Sequence, residues 1–194
     1  MPGMVARSNQ VRIIAGQWRG RRLTFPDVEG LRPTADRIRE TLFNWLAPVL
    51  PGSRCLDLFA GSGALGFEAA SRGASKVVMN DLSPVVAGAL KANRERLQAE
   101  RIEIFCGQPR ACLERLQGAF DVVFLDPPFA RPKLLPEAIE LLTGLRCLRA
   151  GAYIYVELPA NRSCEAVPPD WGLHREKRAG AVDYRLYRYQ PQQR

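Results

Sequence analysis

Two stretches of this 194-residue chain hold groups whose type and spacing point to chemistry. The first is Asp126-Pro127-Pro128-Phe129, directly after the apolar run Phe120–Leu125. Two successive prolines remove two backbone N–H donors and fix φ, so their carbonyls stand as rigid acceptors. An acid, a rigid carbonyl and an aromatic face make a receptor for a planar exocyclic amine on a nucleobase. The carboxylate and a proline carbonyl accept the two N–H bonds, and the phenyl ring stacks on the base. Such an amine is a poor nucleophile because its lone pair is delocalised. Holding both hydrogens favours a more pyramidal nitrogen whose lone pair can be aimed at an electrophile, which is positioning plus electrostatics. The plainer alternative is a proline-stiffened loop that only ends a strand.

The second stretch is Asp57-Leu58-Phe59-Ala60-Gly61-Ser62-Gly63-Ala64-Leu65-Gly66. Gly61, Gly63 and Gly66 satisfy G-x-G-x-x-G between an apolar run and a helical pattern. Such a turn lets backbone approach a ligand beside a helix N-terminus. The pattern alone is weak, and the acids near it decide more. Asp81, 18 residues after Gly63, ends the next apolar run, where an acid binds ribose hydroxyls. It would serve NAD and S-adenosylmethionine (SAM) alike, or be a turn residue ahead of Ser83-Pro84. Asp57, four residues before the first glycine, separates the two somewhat. It can meet a cationic amino-acid moiety directly or through water; SAM carries an ammonium and a sulfonium, and NAD has neither there.

The elements that must position these residues can be read from periodicity. Val11–Phe25 suggests a hairpin around Gly16 and Gly20. Arg32–Leu46 has helical spacing with Thr34 as a candidate N-cap. Strands are expected at Arg54–Phe59, Lys76–Asp81, Ile102–Cys106, Phe120–Leu125 and Ala152–Leu158. Helices are expected between them at Gly63–Arg72, Pro84–Gln98 (Ser83 as N-cap), Arg110–Leu116 and Pro136–Leu145. This alternation predicts βαβ units and a parallel sheet covered on both faces. Leu173–Lys177 and Tyr184–Tyr189 read as an antiparallel pair around Gly180.

Composition narrows the function classes. The chain is 46% hydrophobic and 25% charged, which is globular, and no apolar run approaches a membrane span. Met1–Gln10 has no signal-type apolar segment, so secretion is not expected. Five widely spaced cysteines without Cys-x-x-Cys, and His174 as the single histidine, argue against a zinc site, so no metal is expected. Cys55, Cys106, Cys112, Cys147 and Cys164 fit reduced, mostly buried thiols. The net charge of +8 is uneven. Residues 1–26 hold Arg7, Arg12, Arg19, Arg21 and Arg22 and no acid, and residues 171–194 hold six bases, Arg194 among them, against two acids. A near-neutral middle with basic ends suggests polyanion-facing segments, the alternative being solvated ends that aid solubility.

Asp126–Phe129 resembles the [Asn/Asp/Ser]-Pro-Pro-[Tyr/Phe] motif of SAM-dependent amino-methyltransferases, and the glycine loop is similar to their SAM-binding motif. Three further segments narrow the likeness: Arg12-Ile13-Ile14-Ala15-Gly16-Gln17-Trp18-Arg19-Gly20-Arg21, residues 31–46 beginning Leu31-Arg32-Pro33-Thr34-Ala35-Asp36-Arg37, and His174-Arg175-Glu176-Lys177. From about residue 11 to 189 the chain resembles the bacterial RsmD family, which methylates N2 of one guanine in small-subunit (16S) ribosomal RNA. The resemblance implies a class I SAM-dependent methyltransferase: a Rossmann-like α/β fold, seven strands mostly parallel, helices on both faces, and a small N-terminal hairpin/helix extension. Residues 1–50 would be that basic extension, contacting RNA and covering the cofactor, and residues 51–194 the catalytic domain.

By position, the resemblance implies that Asp57, Phe59, Ala60, Gly61, Ser62 and Gly63 line the methionine and ribose of SAM. Asp81 would bind the ribose hydroxyls, with Leu82 beside the adenine. Gln108-Pro109 would take the adenine edge, with Gln108 in place of the acid found in many such enzymes. Thr34 and Arg37 would sit near the SAM carboxylate, by a helix N-terminus suited to anions. Asp126, Pro127, Pro128 and Phe129 would hold a guanine flipped out of its stack. Arg12, Arg19, Arg21 and Arg22 would contact RNA phosphates, and Trp18 would stack on a base or simply pack the hairpin. The implied partner is 16S ribosomal RNA, free or in an assembled small-subunit particle, met by a cytoplasmic monomer. A DNA or other-RNA amino-methyltransferase acting on adenine N6 or cytosine N4 shares the proline motif, but a DNA enzyme would be expected to carry a large recognition region. An oxidoreductase leaves the prolines idle, and a non-catalytic RNA binder leaves the whole site unexplained.

Overall fold

Short apolar strands alternating with helices can hide both faces of their sheet only if the strands run parallel and the helices cross over them. The computed structural model, which describes residues 9–162 and 167–191, has this architecture. Arg7, Cys164 and Arg194 lie outside the described residues. A two-stranded antiparallel hairpin, β1 (Asn9–Arg12) and β2 (Arg22–Phe25), leads into α1 (Asp36–Leu46). Next come β3 (Arg54–Asp57), α2 (Ala64–Ser71), β4 (Lys76–Asp81), α3 (Pro84–Leu97), β5 (Ile102–Cys106), α4 (Pro109–Arg115), β6 (Phe120–Leu125) and α5 (Leu134–Gly144). The chain ends with β7 (Leu148–Pro159), β8 (Trp171–Ala179) and β9 (Val182–Tyr189).

The seven-stranded sheet runs β5-β4-β3-β6-β7-β9-β8. β9 pairs antiparallel with both of its neighbours, and the other pairings are parallel. From β3 the chain steps outward through β4 to β5, then returns to β6 on the other side of β3. This reversal leaves a crevice at the C-terminal ends of β3 and β6, where open α/β sheets hold their ligands.

Alternation along the strands divides the core. Cys55, Val77, Met79, Val122, Phe124 and Tyr155 face a cluster built with α1, α2, α3 and the hairpin. Leu56, Val78, Val123, Leu125, Ile154 and Val156 face α4 and α5. On the first face Phe43 of α1 lies 5.9 Å from Phe124, and Trp45 stacks 5.6 Å from Tyr184. The N-terminal segment therefore shares its core with the sheet. Gly66 lets α2 lie close on β4, because a Cβ there would stand 2.8 Å from Met79 Sδ.

Ser83 caps α3, accepting from Val86 N at 3.4 Å. Thr34 does not cap α1. The helix starts at Asp36 with Ala35 in the cap position and no side-chain cap bond, because the Thr34 hydroxyl is engaged elsewhere, with Asp126. The strand expected over Arg54–Phe59 stops at Asp57, where the chain turns into the glycine loop, and the strand expected over Ala152–Leu158 starts earlier, at Leu148. Among the described residues, Cys55, Cys112 and Cys147 are buried and Cys106 is exposed. No helix among the described residues is long and apolar enough to cross a membrane.

Candidate active site

Strand register gathers the acids. Asp57 pairs with Phe124 and with Met79, and Phe124 pairs with Tyr155. Side chains alternate across a strand, so Asp57, Asp81, Asp126 and Glu157 project on the same face of four neighbouring strands, at their C-terminal ends. This is the face that α1 and the glycine loop cover.

Asp57 is 1% exposed. Its Oδ2 accepts from Gly66 N at 3.0 Å, which fixes the carboxylate against the first turn of α2. Nothing among the described residues hydrogen-bonds Oδ1. Burial, with a smaller push from Asp81, raises this carboxyl to about 7. A buried acceptor without a donor is costly, so Oδ1 is suited to a cationic or N–H-bearing ligand.

Around it the loops are pinned together. Asp81 accepts from Gly61 N at 3.0 Å and Ser83 N at 2.9 Å, one bond to each oxygen. Asn80 donates to the carbonyls of Leu58 (3.3 Å) and Gly107 (3.1 Å), holding the ends of β3 and β5 to β4. Gly63 has φ +80, where a side chain would also run into Leu90 and Phe67. Ala60, Ser62 and Gly63 are buried, and Phe59 and Gly61 are half-buried. Leu82 is exposed at 44%. Gln108 is exposed in the N-cap position of α4 without a side-chain cap bond, which leaves its amide oxygen available, and half-buried Pro109 starts that helix.

At the end of β6, Asp126 is half-buried, Pro127 is buried, and Pro128 and Phe129 are exposed, Phe129 at 41%. The Thr34 hydroxyl donates to Asp126 Oδ2 at 3.2 Å. Thr34 thus touches the amine-gripping corner rather than a carboxylate site of its own, and Arg37 is exposed in the first turn of α1. Burial, then the charges of Glu157 and Asp57, push the Asp126 carboxyl well above the ordinary carboxylate range. Asp57 and Asp126 are therefore near enough to influence one another, and the glycine crevice and the proline corner adjoin.

Glu157, Asn80 and the Arg39–Glu68 network did not stand out in the sequence. Arg39 is fully buried and donates to the carbonyls of Thr34 (3.2 Å) and Arg12 (2.9 Å) and to Asp36 Oδ1 (2.6 Å), with Glu68 3.5 Å away. Glu68 accepts from Ile14 N (2.8 Å), Ala15 N (3.0 Å) and Arg72 (2.7 Å). One buried ion cluster thus fixes the hairpin, the Thr34 segment and α2 to one another.

Arg12, Arg19, Arg21 and Arg22 are exposed on the hairpin and its connection. Arg12 lies 3.8 Å from Asp36, and Arg22 donates to the Gln10 side chain at 3.2 Å. Trp18 departs from the base-stacking expectation. It is 6% exposed within the core and its backbone N–H donates to Ser71 Oγ at 2.9 Å, so its ring packs the hairpin.

A Rossmann dinucleotide sheet of six parallel strands has no antiparallel strand wedged before its last one. With β9 in that place and an amine-gripping corner beside the glycine turn, the fold and site are those of a class I methyltransferase. Residues 11–188 match the family described as Conserved hypothetical protein 95. The chain is 48% identical over 185 residues to the Ribosomal RNA small subunit methyltransferase D of Escherichia coli K12, covering 95% of this chain and 93% of that one. It is 49% identical over 182 residues to the protein of the same name from Haemophilus influenzae, covering 92% and 93%. The solved structure of the Escherichia coli protein yhhF superposes with a TM-score of 0.87 at 46% identity, covering 95% of this chain and all of that one. The chain belongs to the RsmD family of ribosomal RNA small subunit methyltransferases.

Proposed function

We propose that this protein transfers a methyl group from SAM to the exocyclic N2 amine of one guanine in 16S ribosomal RNA. The observation that carries the reading is the adjacency of two built features at one end of the sheet. These are the glycine turn with the unpartnered Asp57 oxygen, and the Asp126-Pro127-Pro128-Phe129 corner with an exposed aromatic ring. The names of the Escherichia coli and Haemophilus influenzae relatives support the same substrate class.

SAM, when bound, supplies an electrophilic methyl group on a sulfonium. The residues fit it: Asp57 Oδ1 offers an acceptor for an ammonium, Asp81 for ribose hydroxyls, and Leu82 and Gln108-Pro109 line an adenine position. Asp126 accepts one hydrogen of the guanine amine and the Pro127 carbonyl the other, while Phe129 stacks on the flipped ring. Partial burial strengthens these bonds by excluding water.

Residues 1–50 serve as the RNA-contacting extension and cover the cofactor; Leu31 supports the second role, since a Cβ on Gly61 would stand 2.8 Å from its Cδ1. The hairpin arginines Arg12, Arg19, Arg21 and Arg22 neutralise phosphates. The protein works as a cytoplasmic monomer on RNA within a small-subunit particle. The test is mass mapping of methylated nucleosides after incubating the protein and SAM with ribosomal particles or bare ribosomal RNA from a strain lacking this activity. N2-methylguanine at one position is expected; label on adenine N6 or cytosine N4 would replace the reading with its rival.

A further inference from the structure

The sheet places a second carboxylate, one with no part in gripping the amine, against Asp126. β6 and β7 run parallel with Leu125 opposite Val156, so one step further along Asp126 stands opposite Glu157. Adjacent strands lie about 4.8 Å apart, and both side chains point to the face that α1 covers. Glu157 is 5% exposed. Its Oε1 accepts from the Tyr155 hydroxyl at 2.7 Å. The Thr34 hydroxyl, which donates to Asp126 Oδ2 at 3.2 Å, also faces Glu157.

Hydrogen counting settles how these groups can be arranged. Thr34 Oγ1 carries one hydrogen and sits between two carboxyl groups. It can donate to only one of them, and it can accept from the other only if that other carries a proton. Two close carboxylates in a dry site do not both ionise. The Tyr155 hydrogen is already given to Glu157, and the charged or titratable groups facing the pair are Asp57 on β3, Tyr155 on β7 and Tyr184 on β9, none of them cationic.

We propose that Glu157 is a positioning residue of the base pocket: as the neutral acid it donates to Thr34 Oγ1, which turns its one hydrogen to Asp126 and keeps Asp126 as the carboxylate that receives the substrate amine. The chain of donors is then Glu157 to Thr34 to Asp126, with Asp126 Oδ1 left for the guanine N2–H. During transfer the C–N bond forms, the C–S bond breaks with its electron pair going to sulfur, and the N2 proton passes to Asp126. Burial raises both carboxyls, Asp126 further through Glu157 and Asp57, which favours a single shared proton at neutral pH. At alkaline pH that proton is lost, Thr34 can serve only one of two carboxylates, and the arrangement fails.

The inference rests on the proposed guanine methylation, and two kinds of variant separate the two. Glu157→Gln keeps a donor to Thr34 and cannot ionise; Glu157→Leu has no donor. Leu should lower kcat by about tenfold to a hundredfold, the range for a hydrogen bond to a charged group, with the Kd for SAM unaltered. Gln should lose at least fivefold less than Leu and should abolish the alkaline decline of the wild-type pH profile. In the free protein, the infrared carbonyl band of a buried carboxylic acid should vanish in Glu157→Gln. Equal losses in Gln and Leu, a persisting alkaline decline in Gln, or an unchanged carbonyl band would each overturn the proposal. If Leu does not fold, the Gln profile and the spectrum still decide. A wild-type protein that leaves guanine N2 unmodified would instead refute the underlying function, and the infrared band would then judge the proton's place by itself.

Discussion

The Asp57 carboxyl gives a quantitative handle on the cofactor site. Burial sets it near 7 in the free protein, with one oxygen held by Gly66 and the other without a donor. An ammonium bound at Oδ1 requires the ionised form, so apparent affinity should follow the ionised fraction, about one tenth at pH 6 and about nine tenths at pH 8. SAM should therefore bind about tenfold more tightly at pH 8 than at pH 6, with a further factor of about ten lost per unit below that. An α-amino group itself deprotonates near pH 8, so affinity should fall again on the alkaline side. The stability of the free protein runs the other way. A carboxyl raised on folding contributes fully below about pH 4 and loses that contribution as pH rises through about 7, by about 4 kcal/mol in all. Isothermal calorimetry in buffers of different ionisation enthalpy reads both affinity and protons, and about half a proton should be released per SAM bound at pH 7. Asp57→Asn can still accept from Gly66 N, so it should fold, bind weakly and lose the acid limb. An Asn variant that keeps the tenfold difference between pH 6 and 8 would refute this use of Asp57.

The same geometry sets the outcome of three other perturbations. Asp126→Ala should abolish methyl transfer while SAM binding stays within a few-fold, checked by filter assay beside calorimetry; intact turnover would remove Asp126 from the chemistry. Replacing Arg19, Arg21 and Arg22 together should weaken RNA binding and flatten the slope of log K against log salt by up to about 3 units. An unchanged slope would make these arginines ordinary solvated surface. Arg39→Ala should destabilise the fold by about 3–5 kcal/mol, because it leaves buried Glu68 with one cation fewer and frees the carbonyls of Thr34 and Arg12. Thermal unfolding would show a Tm lower by roughly 6–20 °C, and a drop under 2 °C would mean that the cluster is not holding the hairpin.

Local patterns carry much of the architecture. The alternation of apolar runs and helical periods marks the parallel sheet, the glycines mark the turn after β3, and Asp81 and the Asp126 corner fall at strand ends as spacing requires. What stays hidden depends on register between segments remote in the chain. Glu157 meets Asp126 only because β7 pairs with β6 in one particular register, and nothing in Tyr155-Val156-Glu157-Leu158 itself marks the acid as more than a strand residue. Arg39 looks like any helical arginine until Arg12, Thr34 and Glu68 converge on it. Thr34 misleads for the same reason: a threonine two residues before a helix suits a local cap, but its hydroxyl is engaged by an acid 92 residues away. Trp18 lies in a basic segment, yet the seat provided by Ser71 and the surrounding core takes its ring inward.

The most direct test of the central claim uses wild-type and Asp126→Ala protein with methyl-labelled SAM on ribosomal RNA or particles that lack the modification, with nucleoside mass mapping of the product. The structure-based expectation is label in N2-methylguanine at a single position with the wild type and none with the variant. Label on any other atom, or equal label from both proteins, would contradict it.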